Sequence, residues 1–171
     1  IAANQLVSPE QVIQRGEVGL ALGYAPLRLK GEVRCGGQDH FYLEGQISYA
    51  IPTENDGLQI HCSTQHPSEM QQTVAHALGT QAHQVQVECR RMGGGFGGKE
   101  SQSALFACVA ALAAKKLDRP VKLRLDRDDD FLITGRRHCF THDYEIAHDD
   151  EGRILAAKVD MVSRAGYSAD L

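Results

Sequence analysis

The residues in this chain best suited to chemistry form one run: Arg91, Met92, Gly93, Gly94, Gly95, Phe96, Gly97, Gly98, Lys99 and Glu100. Five glycines within six positions remove nearly every Cβ, so the backbone bends freely and its N–H groups can approach an anionic or oxo-bearing group closely. The run also feeds a helical pattern that starts at Ser101, and the amino-terminal end of a helix favours negative charge. Together these features point to anion binding rather than to a tight structural turn. Gly93, Gly95 and Gly98 also fit the G-x-G-x-x-G pattern of dinucleotide folds, with Asp126 as the ribose acid. That acid stands too far along, however, and antiparallel-looking strands precede the loop. Gly93, Gly98 and Lys99 have the spacing of a nucleotide-triphosphate loop, but Glu100 occupies the place of the magnesium-binding hydroxyl and would repel phosphate.

Other clusters carry less. Asp126, Asp128 and Asp130 imitate the first ligands of a calcium loop, but Phe131 holds the obligatory glycine position and Arg137 the closing glutamate position, so a solvated acidic turn is expected. His138 and His142 lie beside Phe140 and Tyr144 in an alternating run, and no H-E-x-x-H occurs. Cys35, Cys62, Cys89, Cys108 and Cys139 show no zinc or iron-sulfur spacing and are expected to be buried or half-buried thiols of a cytosolic protein.

Several elements must position the glycine loop. Ser8, Pro9 and Gln11 predict a short helix from Pro9 that ends before Gly16, and residues 16–30 suit a connector with a boundary near Gly31. Three strands are predicted, over residues 40–44, 46–51 and 58–64, with Asn55, Asp56 and Gly57 as the turn between the last two. Met70, Val74, Ala77 and Leu78 share one face of a helix that opens near Ser68 and closes at Gly79. Val85, Val87 and Cys89 alternate in the strand that leads into the loop. Ala104, Leu105, Cys108, Ala111 and Leu112 follow the helical period beyond it, with Arg119 and Pro120 as the stop. Val121, Leu123 and Leu125 predict a strand, and two more surround Asp149, Asp150, Glu151 and Gly152. The class is α+β, a mixed and largely antiparallel sheet with packed helices. A net charge of −4 over 171 residues, without a basic stripe or a long apolar run, argues against nucleic-acid and membrane partners. The chain opens at Ile1 and stops at Leu171 within a strand-like stretch, which reads as a fragment.

The run from Arg91 to Glu100 resembles the molybdopterin-proximal loop of the xanthine dehydrogenase/aldehyde oxidase family. The likeness continues, in the family's order, through Gly36, Gly37, Gln38, Asp39, His40, Phe41, Tyr42, Leu43 and Glu44, then Ser63, Thr64 and Gln65. It resumes at Arg119, Pro120 and Val121, at Leu125, Asp126 and Arg127, and at Ile133, Thr134, Gly135, Arg136, Arg137 and His138. The resemblance implies that residues 31–171 are the first part of a molybdopterin-binding domain, incomplete at its carboxyl end, with residues 1–30 as a connector from a preceding domain.

It further implies that Gln38 hydrogen-bonds a terminal oxygen ligand of molybdenum, a task for a neutral amide donor. Phe96 and Gly97 would lie beside the metal, with backbone N–H towards an oxo ligand and the Phe96 ring towards substrate. Glu100 would contact a purine, since members that oxidise xanthine carry glutamate there and aldehyde oxidases an apolar residue. The implied activity is oxidation of xanthine or hypoxanthine with water as oxygen source, electrons leaving through two 2Fe-2S clusters and FAD to NAD. Those carriers, the remainder of the molybdenum subunit and the catalytic base lie outside the matched portion, so no catalytic base is assigned in this chain and it should be inactive alone. A cytoplasmic location and a dimer of the full assembly are the corresponding expectations. The alternatives are an aldehyde or other N-heterocycle oxidase of the same family, or a non-catalytic nucleotide- or anion-binding module.

Overall fold

The computed structural model describes residues 8–165. Their elements run in the order α1 (Val18–Tyr24), β1 (Leu27–Cys35), β2 (Ile47–Pro52), β3 (Leu58–Cys62), α2 (Pro67–Leu78), β4 (Val85–Glu88), α3 (Ser103–Leu117), β5 (Val121–Arg124), α4 (Arg127–Ile133), β6 (Cys139–His148) and β7 (Ile154–Arg164). The described residues divide into two compact units, one continuous over 39–137 and one assembled from 8–38 together with 138–165.

The 39–137 unit is a four-stranded sheet in the order β4-β3-β2-β5. β3 runs parallel to β4, and the other two pairings are antiparallel. Alternation along β3 sends Leu58, Ile60 and Cys62 to one face, where Met70 and Val74 of α2 and Ala107, Ala110, Ala111 and Ala114 of α3 close the core. Those four alanines recur at helical spacing, and their small side chains let α3 pack close to the sheet. Burying Ile60 completely contributes about 2–3 kcal/mol. α2 ends as predicted at Gly79, whose φ of 64° is the left-handed conformation that a carboxyl-terminal cap requires. In the other unit β6 lies between β1 and β7, all antiparallel.

Several local expectations fail for physical reasons. Residues 9–15 form no helix: Val12 and Ile13 are exposed, and a single turn without a packed face does not sustain itself. The helix lies instead at α1, within the expected connector, where Leu22 is buried. Residues 40–44 form no strand, because Phe41 adopts a φ of 49° and donates its N–H to the Asp39 carboxylate at 2.7 Å, an Asx-type turn. The acidic run is no solvated turn: the Asp126 side chain caps α4 by accepting from the Asp129 N–H at 2.8 Å, and Asp130 is buried. Gly31, the expected boundary, lies inside β1. Cys35 and Cys139 are exposed, because their sheet leaves much of its surface uncovered.

Candidate functional site

The glycine loop leaves the carboxyl end of β4 and is fastened into the 39–137 unit by a buried polar network. Lys99, within that loop, is completely buried. Its Nζ donates to the Glu44 carbonyl oxygen at 2.6 Å and to Ser63 Oγ at 2.7 Å, lies 3.3 Å from Glu44 Oε2, and stands 4.7 Å from the centre of the Tyr42 ring. Its carbonyl oxygen accepts from the Gln65 N–H at 2.9 Å and from the Thr64 and Ser103 hydroxyls, both at 3.2 Å. An ammonium taken out of water needs such partners, and here they come from the turn before β2 and the segment after β3.

Glu44 and Gln65 hold the loop backbone itself. Glu44 Oε2 accepts from the Gly93 N–H at 2.9 Å and the Ser63 hydroxyl at 2.6 Å, while the Glu44 N–H donates to the Gly93 carbonyl at 3.1 Å. Burial pushes the Glu44 carboxyl up, but the Ser63 hydroxyl, the Gly93 N–H and the Lys99 charge outweigh it and leave Glu44 below its ordinary value. Burial lowers Lys99, with the Glu44 charge opposing. Gln65 Oε1 accepts from the N–H groups of Gly97 at 2.9 Å and Lys99 at 3.3 Å. A Cβ on Gly95 would stand 2.4 Å from that same oxygen, so the close approach requires glycine.

A second tier supports the first. Gln46 Nε2 donates to the Gly98 carbonyl and to the Tyr42 hydroxyl, each at 3.0 Å. The Tyr42 hydroxyl donates to Asp130 Oδ1 at 2.6 Å, and the Gln46 N–H to Asp130 Oδ2 at 2.8 Å. Burial, and then the Asp130 carboxylate, push the Tyr42 phenol up to about 12.

Phe96, exposed, and Gly97, half-buried, form the crest of the loop. Phe96 is 62% exposed and has a φ of 54°, and Gly97 has a φ of 93°. Because Gln65 takes the Gly97 N–H, the Phe96 N–H is the crest donor that meets no acceptor among the described residues. Glu100 is half-buried in the turn before α3. Gln38 belongs to the other unit, three residues beyond β1, and its side chain is exposed. The sequence therefore brings Phe96, Gly97 and Glu100 together on one short turn. Glu44, Gln65, Tyr42, Gln46 and Asp130 received no role from sequence. One signal was available: a lysine set among glycines needs a counter-charge if it turns inward. No group of three or more His, Cys, Asp or Glu side chains able to hold a metal occurs among the described residues.

This arrangement fits a group that offers oxygen acceptors to a Cβ-poor crest, and it does not fit a nucleotide phosphate, because Lys99 points into the protein. A family model described as the molybdopterin cofactor-binding domain matches residues 3–171. The chain belongs to the molybdopterin cofactor-binding domain family. Among curated relatives of this molybdopterin cofactor-binding domain, xanthine dehydrogenase of Calliphora vicina is 48% identical over 91% of the chain and 12% of the relative. Aldehyde oxidase 2 of Macaca fascicularis is 39% identical over 99% of the chain and 13% of the relative. The domain thus spans about an eighth of these relatives' length. The crystal structure of quinoline 2-oxidoreductase from Pseudomonas putida 86 matches it with a TM-score of 0.74 and 25% identity, over 90% of this chain and 20% of that one.

Proposed function

We propose that the intact protein is a xanthine dehydrogenase-like molybdenum hydroxylase that oxidises xanthine or hypoxanthine, with water as the oxygen source. Residues 3–171 then contribute part of its molybdopterin-binding domain. The observation that carries this reading is the crest itself: an exposed Phe96 ring, an unclaimed Phe96 N–H and the Glu100 carboxyl within five residues of one rigidly fastened loop.

The molybdenum-bearing pterin supplies the redox chemistry when bound. The chain's own residues bind and orient. Phe96 offers its N–H to an oxygen of that group and its ring to a planar substrate, whose π-face stacks on aromatic carbon. Gly97 gives the turn its left-handed conformation and, by donating to Gln65, keeps the crest fixed. Glu100 accepts a hydrogen bond from a heterocycle N–H or, when protonated, donates one to a ring atom on which negative charge develops. FAD and two 2Fe-2S clusters, which pass electrons to NAD, are assigned to portions of the relatives' length outside this match, and the assembly to a cytoplasmic dimer. Free thiols at all five cysteines suit a reducing compartment.

The test is molybdenum and pterin content, measured with xanthine-dependent NAD reduction on the full-length protein purified with its partners from a host able to mature the cofactor. Metal with xanthine turnover supports the reading. Metal with turnover of aldehydes alone transfers the substrate to the class named by the aldehyde oxidase relative, and a folded protein without metal overturns the reading.

A further inference from the structure

β3 and β4 run parallel with Leu58 opposite Val85, Ile60 opposite Val87 and His61 opposite Glu88. The next position on each chain is a cysteine, Cys62 and Cys89, and both are unpaired thiols. Cys62 lies in the core on the side of the sheet that α2 and α3 cover, and the alternation of Val85 and Val87, carried one residue past the end of β4, puts Cys89 on the same side. Neighbouring strands stand about 4.8 Å apart, within the roughly 4.4–6.8 Å between Cα atoms that a disulfide spans. The two cysteines also occupy telling places. Cys62 immediately precedes Ser63, Thr64 and Gln65, which grip the loop, and Cys89 precedes the loop itself.

We infer that Cys62 and Cys89 are a dithiol pair that closes to a disulfide under a two-electron oxidant such as hydrogen peroxide, cross-linking the glycine loop to the segment that holds it. Cys62 is buried and Cys89 half-exposed, so Cys89 meets the oxidant. Burial, which pushes the Cys62 thiol up to about 12, makes Cys62 the poorer first nucleophile and the resolving sulfur. The Cys89 thiolate attacks one peroxide oxygen, forming a sulfenic acid and releasing hydroxide, which takes up the proton lost from the thiol as water. Cys62 then displaces the sulfenic hydroxyl as a second water, and the S–S bond forms. Each thiol gives up one hydrogen, and the peroxide is reduced to two waters.

The experiment uses the full-length protein. After exposure to hydrogen peroxide, free thiols are alkylated and the protein is cleaved after glutamate without reduction, which separates Cys62 (residues 55–69) from Cys89 (residues 89–100) and from Cys35 (residues 33–44). The expected product is peptide 55–69 joined to 89–100, lighter by two hydrogens than the two together, lost on reduction and absent from Cys62→Ser and Cys89→Ser. In the linked protein the Gly93 and Gly97 amides exchange more slowly than in the reduced form, and Cys89→Ser abolishes that difference. Separate alkylation of Cys62 and Cys89 at oxidant levels that consume the exposed Cys35 and Cys139 overturns the proposal, as does oxidation of Cys89 to sulfinic acid without the linked peptide.

Discussion

Replacing Lys99 with Met in the full-length protein isolates what the buried ammonium does. Methionine refills the aliphatic volume but offers no donor, so the Glu44 carbonyl and the Ser63 hydroxyl lose a partner while Glu44 keeps Ser63 and Gly93. Each orphaned buried acceptor costs about 1–3 kcal/mol, hence about 2–6 for the two. The variant also escapes the desolvation of a charged group, which offsets part of this. A net loss of about 3 kcal/mol follows, and at about 1.4 kcal/mol per tenfold this means local opening roughly a hundred times more frequent. Hydrogen exchange at the Gly97 and Lys99 amides, which Gln65 accepts, reads that opening directly without requiring two-state unfolding of a large protein. Both amides should exchange about a hundredfold faster, while amides of α2 remain unchanged. Exchange at Gly97 within about threefold of the parent would refute the argument that Lys99 fastens the loop.

Because the Glu44 carboxyl is held below its ordinary value, the protection it gives Gly93 is fully present above about pH 4.5 and is lost as pH falls through its lower folded pKa. Gly93 exchange followed from pH 6 downwards checks this, and Glu44→Gln should flatten the dependence; an unaltered profile would contradict it. Asp130→Asn leaves one acceptor oxygen for three donors, Tyr42 O–H, Gln46 N–H and the Thr134 hydroxyl, and should destabilise this unit by about 1–3 kcal/mol. In urea unfolding, combining it with Tyr42→Phe should cost less than the sum of the two single changes, whereas strict additivity would show that they do not interact. Glu100→Ala should cut xanthine turnover on the order of a hundredfold with molybdenum content preserved, and undiminished turnover would remove the purine assignment.

The sequence made legible whatever rests on local periodicity. α2 and α3 follow from apolar residues three and four apart, and β3 follows from Leu58, Ile60 and Cys62 alternating. The glycine run at the end of a strand was legible too, while Phe96, Gly97 and Glu100 were singled out by the family resemblance and not by the run. What escaped depends on partners distant in sequence. Lys99 in such a run reads as an outward phosphate ligand, and only Glu44 and Ser63, brought up by the turns before β2 and after β3, pull it inward. Asp130 reads as one acid in a solvated run until Tyr42 and Gln46 are seen to converge on it. The discontinuous unit is invisible to any local pattern, since Leu27 pairs with His148.

The order of these residues along the chain has a consequence for synthesis. Tyr42, Glu44, Gln46, Ser63 and Gln65 all leave the ribosome before Lys99 does, so the groups that receive the loop are already made when it emerges. Asp130 follows some thirty residues later and completes the second tier. A chain truncated after α3 but short of Asp130 would therefore carry the groups that receive the loop, with Tyr42 and Gln46 lacking their common anchor.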